Sequence, residues 1–387
     1  NGVGPNLNVA SELGRDLILD SLRSWVESGV DGFRFDLASV LGNSCGRGCF
    51  NFDPNDPEGV LRRAAAELPD TVLIAEPWGI GAGTYQVGQF PPGWAEWNDR
   101  FRDDLRSDQN QLNVADVTTG SLANRFSGSW DLFGDDGRPP ESSINFLVSH
   151  DGLTLADLYS CNDRQNDQAW PWGPSDGGSS DNRSWDYGGD PSRQRQAART
   201  GMALLMLSAG VPMITGGDEL LRTQRCNNNA YNLDSPGNWL AADGPAAEPD
   251  FHRFTQRAMH FRAAHAALRP TSWRADGDGD GDGQWLIEWF TPFGRTDAAY
   301  LDDPGNHYLG FRLDADEVQP GDVRSIFVGY NGWDQGLDVM IPEPAPGAAW
   351  FLVADSHAWM ADWLAPGDEA LLEPADSYLL GARAVVV

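Results

Sequence analysis

The feature that most constrains this chain is a recurring pair of segments, a helix-length stretch followed by a short apolar run that stops at polar or acidic residues. Glu12 to Ser28 places Leu13, Leu17, Leu22 and Trp25 near helical spacing, and Val30 to Asp36 follows as a strand. Val60 to Leu68 reads as a second helix. Thr71 to Glu76 after it is a nearly continuous apolar run, as a strand buried on both faces carries. Ile144 to Asp151 is apolar and again ends in polar residues, while Arg193 to Ser208 is a helix leading to a strand at Val211 to Thr215 and a tight turn at Gly216-Gly217. Helix and strand repeating in this order predict a parallel α/β fold.

In a (β/α)8 TIM barrel the lumen is packed with apolar side chains, and chemistry gathers at the carboxyl ends of the strands, where the βα loops face solvent. Asp36, Glu76 and Asp151 sit at such ends. An open doubly wound sheet would put ligands there too, but the chain has no glycine-rich phosphate loop of the dinucleotide type. A barrel is therefore expected. From Asp276 to Gly283 the chain alternates Asp and Gly, which cannot pack a core and marks a linker. Counting twelve positions from Asp276 or Asp278 reaches Ile287 or Trp289, where a calcium loop of the EF-hand type needs Glu. Beyond it, Gln284 to Phe290, Ser325 to Tyr330, Trp350 to Ala354 and Tyr378 to Val387 read as strands of an antiparallel β-sandwich. The division expected is 1–275 for the barrel portion, 276–283 for the linker and 284–387 for the C-terminal β domain.

Charge narrows the function. With 27 basic against 57 acidic residues the net charge is −30, which repels phosphate backbones and anionic lipid, so neither nucleic acid nor a membrane surface is an expected partner. Every basic residue is arginine, a bias that a GC-rich genome and adaptation to high salt would each produce. The most apolar long stretch, Gly201 to Thr215, contains Gly210 and Pro212 and falls short of the roughly 20 residues a membrane-spanning helix needs. The first residues show no basic start followed by an apolar core, so no signal peptide is visible. Cys45, Cys49, Cys161 and Cys226 are an even set that suits two disulfides in an oxidising compartment; a four-cysteine zinc site and free buried thiols are the alternatives.

Strand alternation puts Arg34 and Asp36 on one face, where the guanidinium can hold the carboxylate ionised as a nucleophile requires, or simply form a structural ion pair. Glu76 borders four apolar residues, a setting that raises an acid toward the pKa of a proton donor, though it could equally cap the next loop. His150 and Asp151 end the third strand, where imidazole can bind hydroxyls and a second carboxylate can stabilise a developing cation; a satisfied core histidine is the plainer alternative. Three acids at strand ends, with Arg and His beside them, are the equipment for breaking glycosidic bonds. The six histidines lack metal-ligand spacing, and no nucleophile elbow of a serine hydrolase is present. Sixteen tryptophans suit sugar stacking, most of them as core and about a quarter along a cleft.

The segments Asp31-Gly-Phe-Arg-Phe-Asp36, Ala75-Glu-Pro-Trp78 and Ser149-His-Asp-Gly152 resemble the second, third and fourth signature regions of the α-amylase family, glycoside hydrolase family 13, and within it the secreted bacterial isoamylases that debranch glycogen. Stretches at 93–106, 144–162, 168–178, 226–234 and 261–273 extend the likeness over nearly the whole chain. The resemblance implies that Asp36 is the nucleophile, Glu76 the general acid/base and Asp151 the transition-state stabiliser, with Arg34 holding Asp36, His150 binding sugar hydroxyls and Trp78 stacking on sugar near the cleaved bond. It implies retaining hydrolysis of α-1,6 branch linkages in glycogen or amylopectin without a cofactor. Calcium belongs to the wider family, but no ligands for it are assignable here. Cys45/Cys49 and Cys161/Cys226 stand where secreted isoamylases have cysteines, which implies a secreted or periplasmic address. Another α-glucan hydrolase of the family, such as a glycogen-operon debranching enzyme or an α-amylase, and a non-catalytic glucan-binding remnant are the alternatives.

The family's first signature, Asp-x-x-x-Asn-His, is expected before Asp36; the only match, Asp302 to His307, lies in the wrong order and is read as chance. The motifs account for about strands 4 to 8, so the chain is read as a carboxyl-terminal half. An open five-strand parallel sheet would expose edges and an apolar inner face, which predicts poor stability and little activity for the free polypeptide.

Overall fold

The computed structural model describes residues 6–46, 48–111, 117–240, 244–273, 287–316, 318–319, 321–322, 324–357 and 363–387. The Asp/Gly linker and the calcium-loop reading lie outside them. The chain forms two compact units, one of Asn1–Asp99, Gly128–Asn145 and Thr271–Trp273, the other of Arg100–Ser127, Phe146–Pro270 and Arg274–Val387.

In the first unit, helix α1 (Glu12–Glu27) leads to strand β1 (Gly32–Phe35), and helix α2 (Val60–Glu67) leads to β2 (Val72–Ala75). Strands β3 (Trp94–Asn98) and β4 (Ser143–Phe146) follow, and β1 to β4 pair in parallel in chain order. The core packs Leu19 and Leu22 of α1 and Leu61 and Ala64 of α2 against Leu73, Ala75 and Trp94 of the sheet.

Two sequence expectations change here. Leu13, Leu17 and Trp25 are exposed, while Leu19 and Leu22 are buried. Nine residues separate Leu13 from Leu22, roughly half a turn in projection, so the apolar spacing had mixed two faces of one helix. Strand β2 is buried on one face only: Leu73 and Ala75 are in the core, but Val72 is 56% exposed. Its apolar run is continuous in sequence and alternating in environment. Strand β3 has no counterpart among the sequence expectations, because Glu96 and Asn98 and the lack of β-branched residues offset the strand preference of its two tryptophans.

In the second unit, the helix Pro191–Leu207 precedes β5 (Val211–Met213), and Gly217 adopts φ +98° in the turn beyond it. C-terminal to these, strands β6 (Ile287–Thr291), β7 (Gly294–Arg295), β8 (Tyr308–Asp314) and β9 (Ser325–Asn331) are followed by β10 (Leu337–Met340), β11 (Phe351–Leu352), β12 (Ala370–Leu371), β13 (Ser377–Leu380) and β14 (Ala384–Val386). They make an antiparallel sheet of order β14-β9-β8-β6-β7 and two-stranded pairs β10-β13 and β11-β12.

Alternation along these strands feeds two cores. Leu309, Phe311, Leu313, Ile326, Val328 and Val385 join the cluster that contains the helices Pro191–Leu207 and Pro249–Ala264. Tyr308, Phe327, Ala384 and Val386 join Val339 and Leu380 in the other. The C-terminal sheet is tied to the helix Pro191–Leu207 by polar contacts as well, with Thr200 Oγ1 2.7 Å from Ser356 Oγ and Gln196 Nε2 donating to the Ala382 carbonyl at 2.7 Å.

All four cysteines are paired, Cys45 with Cys49 and Cys161 with Cys226, at Cα separations of 5.7 and 5.8 Å. Among the described residues no helix is long and apolar enough to cross a membrane.

Candidate active site

The register of the parallel strands builds the site. Arg34 stands opposite Ile74 and Phe35 opposite Ala75, so Asp36 and Glu76 are the next matched positions, each one residue beyond its strand. Side chains at matched positions of parallel strands point the same way. Ala75 is also opposite Glu96 on β3, which places Trp97 level with Glu76. Asp36, Glu76 and Trp97 therefore form one row across the carboxyl ends of three strands, with Arg34 one pleat below.

The guanidinium of Arg34 connects the two acids. Its Nη1 donates to Asp36 Oδ1 at 2.5 Å, and its Nη2 lies 3.1 Å from Glu76 Oε2, an ion-pair distance without hydrogen-bond alignment. The guanidinium carbon also sits 4.2 Å from the ring centroid of Trp97, within cation–π range.

The two carboxylates differ in environment. Asp36 is exposed, its side chain 70% accessible, whereas Glu76 is buried at 3%. Glu76 Oε2 accepts the Leu37 backbone N–H at 2.6 Å and Oε1 accepts the Trp78 indole N–H at 2.9 Å. The two donors fix the orientation of the Glu76 carboxylate between Leu37 and Trp78. Leu37 is in the left-handed region at φ 46°, ψ 46°, a conformation costly for a branched residue. That turn aims its N–H at Glu76 while the Ala38 N–H bonds the Glu76 carbonyl at 2.8 Å.

Below this row lies a buried pair. Glu96 is fully buried and accepts the N–H groups of Gly88 and Phe90 at 2.6 and 3.1 Å, and it forms a short ion pair with the buried Arg138. Burial pushes the Glu96 carboxyl up, opposed by the charge and hydrogen bonds of Arg138. Asn98 donates to Ser129 Oγ and Ser143 Oγ at 2.7 and 2.8 Å, which fixes the end of β3.

His150 and Asp151 belong to the second unit. The expectation that they end a strand is corrected, since β4 stops at Phe146 and both lie exposed in the turn that follows Leu147 and Val148. Those two residues are buried without strand pairing, so an apolar run had extended the strand on paper beyond its hydrogen bonds. Ser149 Oγ donates to Asp151 Oδ1 at 2.7 Å. The first unit thus brings together Arg34, Asp36, Glu76 and Trp78, and the second holds His150 and Asp151.

Sequence reasoning missed Leu37 and Trp97. Nothing at Leu37 signals a left-handed residue, whereas Trp97 was visible in the stretch 93–106 but had no assigned strand to place it.

The match to known proteins covers both halves of this arrangement. Residues 286–387 match the family model described as isoamylase, C-terminal. An isoamylase from Flavobacterium sp is 52% identical over 396 residues, covering 100% of this chain and 50% of that protein. An isoamylase from Pseudomonas amyloderamosa is 45% identical, covering 96% and 50%, and a glycogen debranching enzyme from Serratia proteamaculans is 36% identical, covering 94% and 52%. The chain spans about half the length of the curated relatives it matches. Among solved structures, a pullulanase from Bacillus acidopullulyticus aligns with TM-score 0.68 at 22% identity over 97% of this chain and 40% of the other. A pullulanase from Anoxybacillus sp. complexed with maltotetraose aligns with TM-score 0.68 at 20% identity, over 100% and 47%. These structural likenesses are to a partial parallel barrel with a C-terminal sheet domain.

Proposed function

The chain belongs to the isoamylase family of the α-amylase group, and from that premise we propose that it carries the carboxylates for hydrolysing α-1,6 branch linkages of glycogen or amylopectin by retaining double displacement. The observation that carries this reading is the single guanidinium of Arg34 joining Asp36 and Glu76 at matched strand ends, one acid open to solvent and the other buried.

In the first step Asp36 attacks the anomeric carbon, the bond to the bridging oxygen breaks, and Glu76 gives that oxygen its proton. In the second, Glu76 takes a proton from water as its oxygen attacks the anomeric carbon, and Asp36 leaves as the carboxylate. The exposure of Asp36 suits an attacking group that must meet substrate, and the donors from Leu37 and Trp78 suit holding Glu76 in one rotamer. Asp151 would stabilise the oxocarbenium-like transition state and His150 would bind sugar hydroxyls, while Trp78 would offer its ring face to the sugar beside the cleaved bond. The whole fold proposed is the family's eight-stranded barrel, contributed here by about strands 4 to 8, followed by a β-sandwich. No step calls on a cofactor. The two disulfides support a secreted or periplasmic address.

The test is hydrolysis of glycogen by this chain expressed joined to the amino-terminal half of an isoamylase barrel, because the five-strand sheet alone is expected to be poorly active, read as new reducing ends and by chromatography of the released chains. Linear maltooligosaccharides from glycogen, little action on pullulan, and a loss of at least about a thousandfold in Asp36→Asn are expected. Binding of glycogen with no reducing ends released would overturn the catalytic reading in favour of a non-catalytic glucan-binding protein.

A further inference from the structure

One face of the C-terminal sheet changes from apolar to charged along its length. Directly opposed residues of antiparallel strands share a face, and so do residues two apart on one strand. Glu288 is opposite Arg312, Arg312 opposite Phe327, Asp314 opposite Ser325, and Phe290 opposite Arg295. All of them therefore lie on the face where Phe290, Tyr308 and Phe327 pack with Val339 and Leu380. At Phe290 and Tyr308 that face is closed by the core. At Glu288, Arg312 and Asp314 it borders a cleft of about 1050 Å³, which Arg295, Trp350 and Tyr378 also line.

The polar and aromatic groups of the cleft are held in place. Glu288 is buried and forms ion pairs with both Arg295 and Arg312, with Arg312 Nη2 2.7 Å from Glu288 Oε2. A guanidinium has more N–H donors than one carboxylate can accept, and the Arg295 side chain is 72% exposed, so N–H groups remain for the oxygens of a ligand. Trp350 and Tyr378 are half-buried, each anchored by its polar atom. Trp350 Nε1 donates to the Pro342 carbonyl at 2.7 Å, and Tyr378 Oη to Asp355 Oδ2 at 2.7 Å. The Trp350 ring centroid is 6.4 Å from that of Phe327.

Stability alone does not call for this arrangement, because apolar residues at inward positions commonly match or better a buried ion pair. The chemistry of the lining selects the ligand. Acids outnumber arginines among its described residues, which disfavours an anion. Among the described residues no group of three or more His, Cys, Asp or Glu is placed to hold a metal ion. A wholly apolar ligand would take water from Glu288 and its arginines without replacing its hydrogen bonds. A neutral polyol meets both surfaces: its hydroxyls donate to carboxylate and accept from guanidinium, and its C–H faces lie against indole and phenol rings. The volume stands at the upper end of the roughly 300–1,000 Å³ of small-ligand sites, which suits several linked sugar units rather than one.

We infer that this cleft of the C-terminal β domain binds a neutral oligosaccharide, with Trp350 and Tyr378 as its apolar contacts and Glu288, Arg295 and Arg312 as its hydroxyl partners. That the oligosaccharide is an α-glucan rests on the function proposed above, whereas the saccharide chemistry rests on the cleft itself.

The test is hydrogen–deuterium exchange with mass spectrometry on the chain joined to the amino-terminal half of an isoamylase barrel, carrying Asp36→Asn so that sugar is not consumed. Titration with maltoheptaose is expected to slow exchange in residues 287–295 and 342–353. Trp350→Ala and Arg295→Ala are each expected to raise the sugar concentration needed for that protection by about three- to tenfold, with Trp350→Phe recovering much of the loss. Arg295 is exposed, so its variant tests the cleft even where loss of the indole disturbs folding. Protection by cellohexaose in place of maltoheptaose keeps the saccharide site and removes the α-glucan reading. Glycogen hydrolysis by the joined protein with Asp36 intact is read separately, and its absence beside a protected cleft removes the catalytic reading alone. No protection by either sugar, protection that both alanine variants leave unchanged, or protection by spermidine in place of sugar overturns the inference.

Discussion

Asp36 and Glu76 occupy matched positions just past the ends of neighbouring parallel strands, and one arginine, Arg34, reaches both. The pairing of the strands therefore sets the spacing of the acids, and the arginine sets their relative orientation.

Replacing that arginine by lysine should separate charge from geometry. A lysine supplies one ammonium where the guanidinium presents two nitrogens to two carboxylates and a flat face to Trp97. Arg34→Lys is expected to lower kcat for glycogen by about a hundredfold, with a smaller change in KM and a displaced pH–rate profile. An unchanged profile would remove Arg34 from the machinery.

The Glu96–Arg138 pair should be costly to break and cheaper to remove. Arg138→Met leaves a fully buried carboxylate without its counter-ion, a loss of about 3–5 kcal/mol at neutral pH. Burial already raises the Glu96 carboxyl, so without Arg138 its folded-state pKa rises further. Stability is then greatest at low pH, where the group is protonated in both states, and is lost as pH rises through the folded value. Urea unfolding at acid and neutral pH should show the larger loss at neutral pH, and adding Glu96→Gln should recover much of it.

Asp218 makes a second pH prediction. It is buried, and desolvation raises its carboxyl from 3.8 to about 6 against the N–H bonds from Leu155 and Thr215. A folded value above the unfolded one favours folding below pH 3.8, and that advantage fades as pH climbs through about 6. The difference in unfolding free energy between the parent and Asp218→Asn should shift against the parent by roughly 3 kcal/mol from acid to neutral pH. Parallel stability–pH curves for the two proteins would contradict the assignment.

The two disulfides should differ in weight. The Cys161–Cys226 bond closes a sequence separation of 65, the Cys45–Cys49 bond one of 4. By loop closure alone the first is worth ~4 kcal/mol and the second ~2 kcal/mol. Denaturant melts of the Cys161→Ser/Cys226→Ser and Cys45→Ser/Cys49→Ser double variants should show the larger loss for the first pair.

The sequence by itself determined the helix and strand alternation, because burial on a sheet and on a helix writes different periods into the chain. It also placed Arg34, Asp36 and Glu76 at strand ends, since each acid interrupts an apolar run. Tertiary structure decided what periodicity cannot carry. Pairing β1 with β2 in one register, with Phe35 opposite Ala75, put Asp36 beside Glu76 across 40 positions of chain. Packing chose Leu19 and Leu22 rather than Leu13 and Leu17 as the buried face of α1, because each apolar stripe satisfies the same local rule and only the neighbouring helix and sheet distinguish them. The left-handed turn at Leu37 and the stacking of Arg34 on Trp97 were also silent in sequence. Each depends on residues brought together by strand pairing, and a backbone strained against its own preference is held only by the contacts that surround it.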